Sequence, residues 1–150
     1  MSATELTARL PALTDDYARD LHRAGRASRE AAREAAAEQI ARGLPDGVDS
    51  PDTLLFVAEE EGRSVGWIWV NVPSAANGRD TAWVHEVLVD AGERGKGYGR
   101  AIMRAAEQEL ARRGVTRMAL NVFAANTAAI QLYESLGYRV TAQQMAKQIG

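Results

Sequence analysis

Two periods of apolar positions divide this chain into elements. Thr4 to Leu10 alternates weakly and reads as a first strand, which Pro11 ends. Thr14 is a good helix N-cap, with Asp15 and Asp16 in the first turn where the helix dipole favours acids. Tyr17, Ala18 and Leu21 then share a stripe, which predicts a helix from about Asp15 to Arg23. Gly25 breaks it. Ser28 caps a second helix that ends near Arg42, with Ala32, Ala35, Ala36 and Ile40 inward and Gly43 and Pro45 as the stop. Leu44 to Asp52 is a loop. Thr53 to Glu59, Ser64 to Val72 and Thr81 to Val89 have the composition of strands, separated by polar turns with glycine, and form an antiparallel meander. Tyr98 to Arg113 is the strongest helical pattern, with Ile102, Met103, Ala106 and Leu110 on one side and Gly114 as terminator. Arg117 to Phe123 reads as another strand. Asn126 caps a helix that runs to Leu136, stopped by Gly137, and Tyr138 to Gln148 reads as a final strand or strand pair. No linker, repeat or low-complexity tract divides residues 1–150, which predicts one domain.

The stretch Val84 to Arg100, VHEVLVDAGERGKGYGR, runs from apolar strand through a glycine-rich turn into a helix. Glycines let a ligand approach the backbone closely, and helix-start amides favour an anion. Three phosphate-binding patterns compete for this turn. A P-loop needs Lys-Ser/Thr after its last glycine, where this chain has Gly99-Arg100-Ala101. A dinucleotide fingerprint needs Gly-x-Gly-x-x-Gly after a parallel strand, but Gly95, Gly97 and Gly99 alternate after a meander. The third pattern, Arg/Gln-x-x-Gly-x-Gly/Ala, is met at every position by Arg94-Gly95-Lys96-Gly97-Tyr98-Gly99.

That stretch resembles the acyl-CoA-binding signature of the GNAT superfamily of N-acetyltransferases. The run from Asn126 to Tyr138 is similar to the family's second motif, Asn-x-x-Ala-x-x-x-Tyr-x-x-x-Gly-Phe/Tyr. The resemblance implies an α/β GNAT fold. Its single mixed, mostly antiparallel central sheet would have six to seven strands, flanked by about four helices, with a splay between the fourth and fifth strands. It implies acetyl-CoA as co-substrate and transfer to a primary amine of a small molecule or peptide. Backbone amides of Gly95, Lys96, Gly97, Tyr98, Gly99 and Arg100 would hold the pyrophosphate, with Arg94 flanking. Solvated surface charge is the competing reading for the Lys96 and Arg100 side chains. The pantetheine arm would pair with Val87, Leu88 and Val89 where they part from Leu120-Asn121-Val122, one amide polarising the thioester carbonyl.

The resemblance places Tyr133 near the thioester sulfur, as the acid for the departing thiolate. Asn126 caps its helix and would also contact the cofactor. The resemblance also makes Glu86 the first candidate for the base that takes the amine proton, since several family members carry an acid on this strand. Its neighbour His85 should point to the opposite face by strand alternation. Some relatives carry a glutamate where this chain has Asn121, a departure from the ribosomal-protein acetylating branch. The remaining candidates for acceptor recognition are Asp46, Asp49 and Asp52, the Glu59–Glu61 turn, and Trp67, Trp69 and Trp83, which serve equally well as solvated surface or sheet core.

Composition narrows this further. Cysteine is absent, which removes disulfides, thiolate metal sites and a cysteine acyl-enzyme. The two histidines, His22 and His85, form no ligand pattern, so no metal is expected. A net charge of −2 gives no basic field for nucleic acid or anionic membrane. No signal-like start or membrane-length apolar run is present, which fits a cytoplasmic protein. A homodimer paired through the last strand is a further expectation. Two rivals stand beside the enzyme: a non-catalytic acyl-CoA sensor on the same fold, and a nucleotide-phosphate binder.

Overall fold

A computed structural model describes residues 1–147 and 149. In chain order the elements are α1 (Ala3–Arg23), α2 (Arg29–Gly43), β1 (Thr53–Glu60), β2 (Arg63–Asn71), β3 (Ala82–Val89), α3 (Tyr98–Arg112), β4 (Met118–Leu120) and α4 (Thr127–Ser135). The strands lie in the order β1-β2-β3-β4. The first two pairings are antiparallel and β3 pairs with β4 in parallel, so the sheet is mixed.

The strand expected over Thr4 to Leu10 is instead the first half of α1. Ser2 starts it with a capping box: its hydroxyl accepts from the Glu5 N–H at 3.2 Å, and its own N–H donates to the Glu5 carboxylate at 2.6 Å. Leu6, Leu13 and Leu21 then bury on one stripe. Pro11 lies inside the helix rather than ending an element, and packing of Leu6 and Leu13 on either side outweighs the amide it lacks. Thr14, expected as a cap, bonds back to the Leu10 carbonyl at 2.8 Å as an interior helical residue.

Four strands therefore replace the six to seven expected among the described residues. The last expected strand is also absent: residues 138–147 form no ladder, and Gln148 lies outside the described residues. The edge through which a homodimer is expected is therefore not a strand among the described residues. The strand expected over Arg117 to Phe123 contracts to Met118–Leu120.

Each face of the sheet carries its own core. On one, Leu55, Trp67 and Trp69 pack beneath Leu6, Leu13, Ile40 and Leu44 of α1, α2 and the segment after it. On the other, Ile68, Val70, Ala82 and Val84 pack against Ile102, Met103, Ala106 and Leu110. The two tryptophans of β2 are core, at 1% and 4% exposure, rather than walls of an acceptor pocket. Gly66 permits the tight β2–β3 approach, since a Cβ there would sit 2.3 Å from the Leu88 carbonyl oxygen. Gly66→Ala should lower stability by about 1–3 kcal/mol, read as a fall in the denaturant midpoint at unchanged slope.

One irregularity bears on the site. Trp69 pairs with Glu86 while the next residue, Val70, pairs with Val84. His85 is the extra residue of a β-bulge, and the alternation of side chains resets there.

Candidate active site

The turn before α3 is set by backbone conformation. A short 3-10 turn at Ala91–Glu93 leads to Arg94 in extended backbone, then Gly95 at φ 75° and Gly97 at φ 88°. Gly97 is the N-cap of α3 and supplies no side-chain acceptor. The first-turn amides of α3 therefore have no partner within their own helix. A Cβ at Gly95 or Gly97 would meet nothing within 4 Å, so these glycines serve the left-handed backbone and leave the cradle open. Gly99 has a different task. A Cβ there would come within 3.2 Å of Leu132 Cδ2 and 3.7 Å of Val89 Cγ2, so it lets α3 approach α4 and β3.

The cations around the turn are already engaged. Arg94 Nε donates to the Val89 carbonyl at 3.3 Å. Lys96 Nζ bonds Glu93 Oε2 at 3.0 Å, and Arg63 also pairs with that buried carboxylate. Arg100 donates to Ser135 Oγ at 2.7 Å, tying α3 to α4. These contacts brace the turn around the open amides.

The β3–β4 ladder covers three pairs and ends at Val84–Leu120. On its other side β3 stays paired with β2 through Val89. Glu86, Val87, Leu88 and Val89 thus extend past the last β4 pairing, one strand edge leading toward the glycine turn.

Alternation predicts Glu86 and His85 on opposite faces; the bulge overturns this. Glu86 stands opposite Trp69, whose side chain belongs to the α1–α2 face. The His85 ring also stacks on Trp69, with centroids 4.5 Å apart and planes 22° apart. Both side chains therefore lie on the Trp69 face of the sheet, with His85 at its exposed rim. Burial pushes the half-buried Glu86 carboxyl up to about 7, and the negative charges of Asp16 and Asp20 on α1 add to it; the Val87 N–H offsets only part. Burial, helped by the positive charge of Arg79, pulls His85 down to about 4, so its ring is neutral at pH 7.

Tyr133 packs with the α3-side core, on the other face of the sheet. Burial raises its phenol to about 12, and the nearby Glu86 charge contributes. The two groups sense each other from opposite faces, beyond the point where the β3–β4 ladder stops. The end of α4 fixes Tyr133 locally. Gly137 adopts φ 94°, its N–H bonds Glu134, and the Tyr138 N–H reaches back to the Tyr133 carbonyl at 3.0 Å. The Tyr138 ring then packs on Tyr133, with centroids 5.8 Å apart. Asn126 Oδ1 accepts from the Ala129 N–H at 3.2 Å, the expected cap of α4.

Asp16 and Asp20 are acids on α1 whose charges reach Glu86 and which the motifs do not single out. Their signal is the i, i+4 spacing of two acids, the first three residues past Leu13, once α1 is read as one helix. The loop acids divide differently. Asp52 accepts from Ser74 Oγ at 2.8 Å and Asn77 Nδ2 at 2.9 Å, linking two turns, while Asp46 and Asp49 stay outside the core. Trp83 is half-buried at the start of β3.

A mixed sheet flanked by four helices, with a glycine turn opening α3 beside an unpaired stretch of β3, is the architecture of the acetyl-CoA-using GNAT acetyltransferases. The chain belongs to that family: residues 11–138 match the sequence profile of the Acetyltransferase (GNAT) family. It is 28% identical over 150 residues to the uncharacterized N-acetyltransferase YycN of Bacillus subtilis, covering 99% of this chain and 96% of that one. The YycN crystal structure superposes with a TM-score of 0.91 over 99% of this chain and 95% of that one. A mycothiol acetyltransferase of Thermobispora bispora is 46% identical over 85 residues. That match takes in 55% of this chain, which spans only 29% of the relative's length. The fold is shared by the PaiA N-acetyltransferase of Thermoplasma acidophilum, solved in complex with coenzyme A. That protein is 18% identical, with a TM-score of 0.72 over 96% of this chain and 89% of that one. Among the described residues no helix is long and apolar enough to cross a membrane.

Proposed function

We propose that this chain transfers an acetyl group from acetyl-CoA to a primary amine of a small molecule or peptide, by direct attack without an acyl-enzyme. The observation that carries the reading is the open glycine turn at the end of the β3 edge that β4 leaves unpaired, with Glu86 on that edge and Tyr133 near enough for its charge to be felt. An alkyl ammonium has a pKa near 10.4, so attack requires a base. A carboxyl held near 7 is ionised about half the time at neutral pH, yet basic enough to take a proton directly or through water. A phenol held near 12 stays protonated and keeps its proton for a departing thiolate.

The backbone amides of Gly95 to Arg100, with Arg94 beside them, would hold the pyrophosphate. The open space around Gly95 and Gly97 fits such a group. The free edge of Val87 to Val89 would take the amide-bearing arm, and an amide there would polarise the carbonyl under attack. Asn126 is assigned a cofactor contact in addition to its cap. Similarity to mycothiol acetyltransferases supports a small-molecule acceptor, as do the acids of α1 facing Glu86, which favour a cationic amine.

The test is release of coenzyme A from acetyl-CoA across a panel of amines. Tyr133→Phe should leave the dissociation constant for acetyl-CoA within about twofold and lower kcat by about 10–100-fold. Unchanged kcat would remove the acid role. Binding of acetyl-CoA without turnover of any amine would instead favour the non-catalytic sensor.

A further inference from the structure

We infer that His85 is a positioning residue for Glu86, and that Gly43 completes the device by seating the edge of the Trp69 ring. The inference rests on Glu86 acting as the base. Its ground is the bulge. A period-2 strand turns each side chain to a face according to register, and an extra residue displaced by one position reverses every side chain in between. Were the extra residue Glu86 or Val87 instead of His85, Glu86 would leave the face of Asp16 and Asp20. Something must hold the extra residue at position 85.

The contacts around Trp69 do this. The indole is buried, and its Nε1 donates to Asn71 Oδ1 at 3.0 Å. Gly43, the last residue of α2, lies against the ring so closely that a Cβ would sit 2.6 Å from Cζ2 and Cη2. The His85 ring stacks on this fixed indole at 4.5 Å. The imidazole is thus seated on a surface that cannot move away, and the bulge stays where its ring is seated. A neutral ring acts here by contact and leaves the electrostatics of Glu86 to its other neighbours. Those are Asp16, whose partner is Arg19 at 2.6 Å; Asp20, near Arg19 and Arg23; Tyr133 from α4; and the Val87 N–H. Arg79 is the charge nearest His85 from the β2–β3 connection.

Three variants test it, each checked first for a cooperative thermal transition: His85→Ala removes the stack, His85→Phe keeps it, and Gly43→Ala pushes the indole at its edge. His85→Ala should lower kcat about tenfold, the scale of one aromatic contact. It should also move the midpoint of the pH–rate profile from about 7 toward the ordinary carboxylate range, with affinity for acetyl-CoA within about twofold. His85→Phe should restore both kcat and midpoint to within about threefold and about half a pH unit of the parent. Gly43→Ala should reproduce the His85→Ala profile although it lies outside the site. A His85→Ala variant with parental kcat and midpoint overturns the inference, as does a His85→Phe variant as impaired as His85→Ala. Full activity of Glu86→Gln would instead strike the assignment of the base itself, a separate result read in the same assay.

Discussion

Glu86→Gln should lower kcat by about 10²–10⁴-fold while acetyl-CoA still binds, because the amide keeps the shape of the side chain and cannot take a proton. In the parent, activity should rise with pH through about 7 as Glu86 ionises, and that limb should vanish in the variant. The same substitution should stabilise the protein. An acid whose folded pKa lies above its unfolded value binds more protons when folded, so its contribution favours folding fully below about 4.5 and is lost as pH rises through about 7. Above pH 7 the parent carries the cost of an ionised carboxylate that is buried and held beside Asp16 and Asp20. A neutral amide at this position does not carry that cost, so the advantage of the variant should be on the order of 2 kcal/mol at about pH 8 and fade below about pH 5. Loss of activity joined to a gain in stability marks a group kept for chemistry. Equal kcat in parent and variant would end the proposal for this residue. A stability gain independent of pH would show that Glu86 is not the strained acid described above.

How much of this was legible in the sequence depends on how local each cause is. The glycine turn was legible because left-handed backbone at Gly95 and Gly97 and the start of α3 are decided within a few residues. Tyr133 was named through the resemblance of Asn126 to Tyr138 to the family's second motif; in the structure Gly137 and Tyr138 close α4 and pack one ring on the other. The first half of α1 reads wrongly although its capping box, Ser2 to Glu5, is also local. Weak alternation and Pro11 point toward a strand, and only the burial of Leu6 and Leu13 against Leu55 and Trp67 decides the matter. The last expected strand depends on a neighbour to pair with, which no local pattern supplies. The orientation of His85 and Glu86 was not legible from alternation, because a bulge leaves no mark of its own in the sequence. His85 stacks on Trp69 of the neighbouring strand, whose ring edge abuts Gly43. The candidate residues could thus be named from motifs, while the face on which Glu86 lies required the three-dimensional packing.

The second large effect is expected at the turn. Gly97 has φ 88°, a conformation that a β-branched residue strongly resists, and it is the residue from which α3 begins. Gly97→Val should turn the first amides of α3 out of their shared direction and place methyl groups in the open cradle. In the parent, acetyl-CoA at about one hundred times its dissociation constant should stabilise the fold by about 2.7 kcal/mol, roughly 5–10 °C in Tm. Gly97→Val should abolish that shift. Strain alone would also lower Tm, so the comparison needs a second glycine. Gly114 follows α3 at its other end with φ 78° and, as at Gly97, an added Cβ would meet nothing within 4 Å. Gly114→Val should lower the starting Tm to a similar degree and keep the full acetyl-CoA shift, because no cradle lies there. If both variants retain the shift, the amides before and within the first turn of α3 do not hold the cofactor. If both lose it, the effect is general destabilisation. Loss confined to Gly97→Val ties binding to the backbone of this turn, and the side chains of Lys96 and Arg100, already bonded to Glu93 and Ser135, then serve mainly to hold that backbone in place.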